Sequence, residues 1–300
     1  MEPFRGFYRN SFQVIEKELN KHISIIKGEL KSEFIFIRCG INAEDLEKSK
    51  FQKHLNWVIK KKNHNDLTIM INSTGGDPEE VYKLVPLIRE NFKFVRYIVN
   101  DIALSAATLL CLSGDEIYIS NSSKMGDLRL QLSKGKYSYP FIAYYEDNYD
   151  SIEKEIRFTD DMRNFIALFK ASLEIDSNIK IQNEIKEAAL SYLKTYMFKE
   201  YELLTREEKE KVDGIPEKLT NSEFLLGMGC ITHDTGIYYS KLKNDIGLKI
   251  INYRNDFKNN KLSDAIIDFA DLVNNYCQLS ENGFDNKFAY SEHVDSILNR

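Results

Sequence analysis

The sequence has few cysteines, and their spacing matches no common metal or redox motif. Cys39, Cys111, Cys230 and Cys277 lie far apart and form no C-x-x-C pair. This spacing argues against a zinc knuckle and against a thioredoxin-like site. We therefore expect buried thiols in a reducing compartment, and a cytoplasmic protein.

A surplus of one charge and long hydrophobic runs are also lacking. The 41 basic and 46 acidic residues are interspersed and give a net charge of -5, so no basic stripe can follow a phosphate backbone. The longest nearly apolar run, residues 102–112, is interrupted by Ser105 and Thr108, and it is shorter than the roughly 20 residues that span a bilayer. The N-terminus lacks the basic start and apolar stretch of a signal peptide. We expect no nucleic acid partner and no transmembrane segment.

Apolar residues are plentiful, at 43% of 300 residues, so the chain can bury a substantial core. The pattern predicts strands at residues 34–37, 67–71, 94–99, 116–120 and 247–252, and helices at 79–91, 105–112, 152–196 and 261–277. Ser11 is predicted to cap an N-terminal helix, and Asn42 a single helix that carries Leu46 to Ile59. Residues 132–150 are polar and tyrosine-rich, which is typical of a long excursion or lid. Strands that alternate with helices predict an α/β fold with mostly parallel pairing.

Two loops of these strand–loop–helix units carry candidate chemistry. Gly75 and Gly76 follow one strand and precede a helix that Asp77 is expected to cap, so their amides are free of side-chain cover. Ser105 lies where the next loop meets a helix. Because the carboxyl ends of consecutive parallel strands lie side by side, all three residues are expected in one crevice. Taken alone, the glycines also suit a purely steric turn, and Ser105 also suits an N-cap.

Several blocks of the chain resemble the ClpP/crotonase superfamily, in particular signal-peptide-peptidase-like proteins. The blocks are Ile71-Asn72-Ser73-Thr74-Gly75-Gly76-Asp77, Ala103-Leu104-Ser105-Ala106-Ala107, Gly114-Asp115-Glu116-Ile117 and Met125-Gly126. Ile231-Thr232-His233-Asp234 and Ile246-Gly247-Leu248-Lys249-Ile250 are similar to the serine dehydrogenase proteinase branch. The resemblance implies a ββα spiral with a mostly parallel sheet over residues 34–255. Residues 1–33 would then be an N-terminal helical arm, and residues 256–300 a C-terminal helical tail.

The resemblance also implies site roles. Ser105 would be a nucleophile, and the amides of Gly75, Gly76 and Ala106 would form an oxyanion hole. Thr74 stands where the family usually has a proline, which loosens the turn without removing its amides. The family's usual N-terminal membrane segment is not seen, which puts membrane-associated substrates in doubt.

A serine hydroxyl needs a general base, and the sequence leaves its identity open. Residues 128–149 contain no histidine, so a ClpP-like triad is not expected. Lys154 stands at about the distance of the signal-peptide-peptidase lysine, although two flanking glutamates also suit a solvated surface residue. His233, next to Asp234, is the competing candidate, and it also suits packing at a strand edge. Lys124 and Lys134 are weaker candidates.

These observations predict a serine peptidase of the Ser-Lys type, with histidine as the alternative base, that needs no metal or organic cofactor. Its expected partners are a peptide or protein substrate and further copies of itself, because spirals of this superfamily commonly form homo-oligomers. Two alternatives stay open. One is a crotonase-like enzyme that holds an acyl-CoA enolate on the same amides, and the other is an inactive scaffold of the same fold.

Overall fold

The computed structural model of the chain describes residues 2–134, 137–140, 178–230, 235–258, 260–279 and 288–290. Its strands are β1 (Glu33–Arg38), β2 (Asp66–Ser73), β3 (Phe94–Ala103), β4 (Glu116–Ile119), β5 (Lys124–Met125), β6 (Gln131–Lys134), β7 (Tyr137–Pro140), β8 (Ile237–Tyr238), β9 (Ile250–Asn252) and β10 (Phe288–Tyr290). Eight of them form one sheet, and β6 and β7 form a separate hairpin.

The helices cover both faces of this sheet. They are α1 (Glu2–Leu30), α2 (Ala43–Lys48), α3 (Phe51–Lys61), α4 (Pro78–Asn91), α5 (Ala106–Leu112), α6 (178–192), α7 (Arg206–Asp213), α8 (Ile215–Thr220), α9 (Ser222–Gly227), α10 (Tyr239–Lys241) and α11 (Asn260–Leu279). π-helical turns at Leu193–Met197 and Leu242–Ile246 continue α6 and α10, and a 3₁₀ turn covers Tyr201–Leu203.

The main path of the sheet runs β10–β1–β2–β3–β4–β9, and β1, β2, β3, β4 and β9 pair in parallel. β10 pairs antiparallel with β1 at the edge. β5 continues from the end of β3 in parallel register and joins β8 antiparallel. The predicted α/β fold with a mostly parallel sheet and flanking helices is confirmed.

Successive side chains along each strand point to opposite faces of the sheet, so the strands contribute to two separate hydrophobic cores. Ile35, Ile69 and Tyr97 point into the larger core, together with α3, α4 and α5. Phe36 and Met70 point to the other face, where α1 and α11 cover them. The predicted helical segments at the two ends thus pack on one face of the sheet.

Three sequence predictions of local structure were wrong. The helix that follows Asn42 is two helices, because Lys50 adopts a left-handed φ of 58° between α2 and α3. Asn42 itself does cap α2, accepting from the Asp45 N–H at 2.9 Å. Ser11 does not begin a helix, since α1 already begins at Glu2. The expected loop at residues 100–104 is largely strand, because β3 continues to Ala103 through a register shift opposite β2.

Candidate active site

The ends of β2 and β3 bring the two candidate loops together. Ser73 pairs with Ala103 as the last partners of the two strands, and the Leu104 N–H donates to the Ser73 carbonyl at 3.0 Å. The chain after each strand therefore starts from the same edge of the sheet. One loop leads to Gly75 and Gly76, and the other leads to Ser105.

Both positions require glycine, because neighbouring backbone atoms lie too close to leave room for a Cβ. Gly75 has a φ of 93°, and a Cβ on it would lie 2.4 Å from the Leu104 carbonyl oxygen and 2.7 Å from the Ser105 Cβ. Gly76 has a φ of 152°, and its Cβ would lie 2.4 Å from the Ile41 carbonyl oxygen. The turn is held there, since the Ile41 N–H donates to Gly75 O at 2.8 Å and the Asp77 N–H to Ile41 O at 2.6 Å. Asp77 caps α4 by accepting from the Glu79 N–H at 2.9 Å.

Ser105 is held in an unusual backbone conformation. Its φ of 51° and ψ of -122° lie in a region that residues other than glycine seldom adopt, at a cost of about 1 to 3 kcal/mol. Its side chain makes no capping bond to α5, so the interpretation of Ser105 as an ordinary N-cap is wrong. Strain of this kind persists only where the surroundings enforce it. Here the enforcing groups are Gly75 on one side and the fully buried helix α5 on the other.

Thr108 in α5 fixes the chain around this serine. Its Oγ1 donates to the Ala103 carbonyl at 2.6 Å and accepts from the Gly126 N–H at 2.9 Å. The same Gly126 N–H also lies 2.9 Å from the Ala103 carbonyl oxygen. One buried hydroxyl therefore ties the strand end before Ser105 to the segment that follows β5.

The three predicted oxyanion-hole amides differ in their hydrogen bonds. The Gly75 N–H donates to the Ser73 Oγ at 3.1 Å and is already occupied. Within the described ranges, the N–H groups of Gly76 and Ala106 have no acceptor. Two free donors, one from each loop, thus belong to residues that line the same cleft as Ser105.

These residues line one cleft of about 400 Å³. Gly75, Gly76, Ser105 and Ala106 all contribute to it. Apolar side chains supply much of the remaining lining, namely Leu109, Leu128, Leu130 and Ile185. A cleft with a few convergent polar groups and apolar walls is the usual form of a small-molecule or peptide site.

Both leading candidates for the general base, Lys154 and His233, lie outside the described residues, so their roles stay predictions. Lys124 belongs to β5, and its Nζ lies 5.0 Å from the centre of the Tyr238 ring. Lys134 lies in β6. The described residues therefore bring together Gly75, Gly76, Ser105 and Ala106, and the identity of the base stays open.

Sequence reasoning missed the polar residues that support the cleft wall after β5. Arg129 donates to the Asp127 carboxylate at 2.7 Å, and both side chains are only 1% exposed. The Arg129 guanidinium also reaches the Cys230 carbonyl at 3.3 Å. Gln182 in α6 bonds the backbone of the same wall. The available signal was the pair of opposite charges, Asp127 and Arg129, that alternates with leucines directly after Gly126.

Other kinds of site find little support in the part of the chain that is described. No group of three or more His, Cys, Asp or Glu side chains there could hold a metal ion. None of its helices combines the length and apolar character needed to cross a bilayer. Cys39, Cys111 and Cys230 are buried and form no disulfide with one another, and burial raises the pKa of Cys111 and of Cys230.

No protein-family profile and no curated protein sequence matches the chain. Among solved structures, it is similar to a serine-to-alanine mutant of the 1510-N membrane-bound stomatin-specific protease, with a TM-score of 0.42, 13% identity and coverage of 72% of this chain and 76% of that chain. The chain is also similar to a lysine-to-alanine mutant of the same protease in complex with a substrate peptide. The TM-score is 0.41 and the identity is 13%, with coverage of 72% of this chain and 72% of that chain. A peptidase from Plasmodium falciparum gives a TM-score of 0.29 and 17% identity, with coverage of 53% of this chain and 91% of that chain. A likeness this distant carries no information about activity, which has to come from the cleft itself.

Proposed function

We propose that the chain is a serine peptidase that hydrolyses peptide bonds with Ser105 as its nucleophile. The observation that carries this proposal is the strained backbone of Ser105 in one cleft with two free amides, those of Gly76 and Ala106. A serine in a sharp strand-to-helix turn, with the following amide as oxyanion donor, is the arrangement that acyl transfer requires. A structural serine would gain nothing from the strain.

The reaction follows from these positions. Ser105 Oγ attacks the carbonyl carbon of the scissile peptide bond while its proton passes to a general base. The Gly76 and Ala106 N–H groups donate to the oxyanion that forms. The base returns the proton to the leaving amine as the C–N bond breaks, and water then hydrolyses the acyl-enzyme by the same steps in reverse order. Gly75, whose amide is occupied by Ser73, serves in this account to let its loop approach Ser105.

We assign the base to Lys154 or, as the competing choice, to His233. A lysine can accept the serine proton only when burial lowers its pKa enough to leave the amine neutral. The wider parts of the proposal are a ClpP/crotonase-type spiral of the signal-peptide-peptidase and serine dehydrogenase proteinase type, a cytoplasmic location and a homo-oligomer. The motifs that contain Gly75 and Ser105 support the spiral and, with it, the homo-oligomer, and the blocks at residues 231–234 and 246–250 support the serine dehydrogenase proteinase branch. The support for the cytoplasmic location is the spacing of the four cysteines.

The test is covalent labelling with a fluorophosphonate probe, read by intact mass. Wild type is compared with Ser105→Ala and with Ser122→Ala, whose serine is exposed and lies outside the cleft. We expect one adduct on wild type and on Ser122→Ala, and none on Ser105→Ala. Loss of the adduct in Lys154→Ala but not in His233→Ala would assign the base to Lys154, and the reverse pattern would assign it to His233.

An adduct that survives in Ser105→Ala would show that Ser105 is not the nucleophile. If wild type does not react at all, the result favours the crotonase-like enzyme or the inactive scaffold over the peptidase. A thermal-shift titration with acyl-CoA then separates these two, because only the crotonase-like enzyme would be stabilised by the ligand.

A further inference from the structure

The cleft wall formed by residues 126–130 is an irregular segment that belongs to no strand. It leaves the sheet directly beside Ser105, since β5 pairs with the end of β3. Leu128, Arg129 and Leu130 line the cleft. A peptide that reaches Ser105 must therefore lie against this wall, and the position of the wall depends on groups other than a β-ladder.

Gln182 supplies the bonds that a neighbouring strand would make. Its Nε2 donates to the Leu128 carbonyl at 3.0 Å, and its Oε1 accepts from the Leu130 N–H at 2.7 Å. In a parallel ladder, one residue bonds the groups on both sides of its partner in this way. The Gln182 side-chain amide thus pairs with the backbone on both sides of Arg129.

The surroundings of Gln182 keep this amide in place. The residue is only 3% exposed. It lies on the same face of α6 as Ile185 and Ala189, which pack into the larger core three and seven residues later. The bond to the Leu128 carbonyl is buried away from competing water, and the bond to the Leu130 N–H is partly buried. Removing the amide takes these partners from the carbonyl and from the N–H, which costs stability.

Other bonds hold the same wall from different directions. The Leu128 N–H donates to the Leu219 carbonyl at 2.7 Å. The Arg129 side chain is anchored on Asp127 and on the Cys230 carbonyl. Within the described ranges, Gln182 is the side chain that bonds the backbone of Leu128 and Leu130, the two wall residues that flank Arg129.

We propose that Gln182 is a positioning residue that fixes this wall for the peptide substrate, without taking part in the chemistry at Ser105. This inference rests on the proposed function. It separates two properties of the site. The reactivity of Ser105 depends on the two loops and the base, whereas the productive placement of a peptide depends on Gln182.

The experiment compares Gln182→Ala with Asn183→Ala, which removes an exposed amide from the neighbouring position of the same helix. Two rates are measured, the fluorophosphonate labelling rate and kcat/KM for quenched fluorescent casein. We expect Gln182→Ala to lower kcat/KM at least tenfold, mainly through KM, while its labelling rate stays within about threefold of wild type. Asn183→Ala should leave both rates unchanged.

A second variant gives a readout that simple loss of packing would not produce. In Gln182→Glu the new carboxylate accepts from the Leu130 N–H but cannot donate to the Leu128 carbonyl, whereas the protonated carboxyl can do both. Its kcat/KM, divided by that of wild type at each pH, should therefore rise as the pH falls through the pKa of the new carboxyl. Burial raises that pKa above the ordinary value of about 4.3. Asn183→Asp, the matched control, should show no such rise.

The outcomes separate the inference from the proposed function. If wild type labels but Gln182→Ala cleaves casein normally, or if labelling and cleavage fall together, the positioning role is overturned while the peptidase remains. If wild type neither labels nor cleaves, the proposed function fails. Hydrogen exchange at residues 128–130 then decides the positioning role, because an unchanged rate in Gln182→Ala overturns it and a faster rate supports it.

Discussion

Replacing Gly75 by alanine tests the close approach that shapes the cleft. The new Cβ would lie 2.4 Å from the Leu104 carbonyl oxygen and 2.7 Å from the Ser105 Cβ, and no flexible side-chain end is available there to move aside. The residue would also have to keep a φ of 93°. The backbone of one of the two loops must therefore shift.

The size of the effect follows from these two costs. A left-handed φ costs a residue with a Cβ about 1 to 2 kcal/mol, and forcing a methyl group into a packed site costs about 1 to 3 kcal/mol more. We expect Gly75→Ala to lower the free energy of unfolding by about 2 to 5 kcal/mol, which for a chain of this size lowers Tm on the order of 10 °C. Fluorophosphonate labelling of Ser105 should slow at least tenfold, because the loop that carries Gly76 moves away from it.

Two further glycines provide matched controls. Gly229 has a φ of 79° but open space around its built Cβ, so Gly229→Ala isolates the backbone cost. We expect a loss of about 1 to 2 kcal/mol in that variant and a normal labelling rate. Gly28, in the last turn of α1, also has open space, and Gly28→Ala should stabilise the protein by up to about 1 kcal/mol. The steric reasoning is refuted if Gly75→Ala loses no more stability than Gly229→Ala and labels at the wild-type rate.

Three other predictions follow from single contacts. In Thr108→Val the Ala103 carbonyl and the Gly126 N–H lose their shared hydroxyl but keep their bond to each other, so urea unfolding should show a loss of about 0.5 to 1.5 kcal/mol. Gly76→Ala should slow labelling as well, because its Cβ would meet the Ile41 carbonyl oxygen. Burial, with Lys53 and Lys50 nearby, lowers the pKa of His54 from 6.5 to about 4. The folded protein thus binds fewer protons than the unfolded chain between these values, and its stability falls by roughly 3 kcal/mol as the pH drops from 6.5 to 4. The free energy of unfolding of His54→Leu, measured with urea at both pH values, should lack this part of the loss at low pH. If it depends on pH as in wild type, the lowered pKa of His54 is contradicted.

Local signals in the sequence predicted local structure well. Asp77 and Asn42 cap helices as expected. Thr205, in a T-x-x-E pattern, forms a complete capping box with Glu208. Each of these interactions joins residues within one turn of the chain, so the local sequence contains both partners. The same holds for the short apolar runs that became parallel strands.

Features that depend on distant partners were not predictable. The extension of β3 to Ala103 depends on its register with β2, and the break at Lys50 separates two helices whose apolar pattern reads as one. The occupied amide of Gly75 depends on the rotamer of Ser73. Gln182 bonds residues more than fifty positions away, and nothing in its neighbourhood in the sequence distinguishes it from an exposed glutamine.

The pairing of α1 with α11 on one face of the sheet affects how the chain is made. Lys261 reaches Glu29 across 232 residues of sequence, so the two helices are synthesised far apart in time. At about 5 to 20 residues per second, a ribosome needs on the order of 10 to 50 seconds to cover that distance. Phe36 and Met70 face water or a chaperone during this interval, because the helix that completes their cover has not yet emerged.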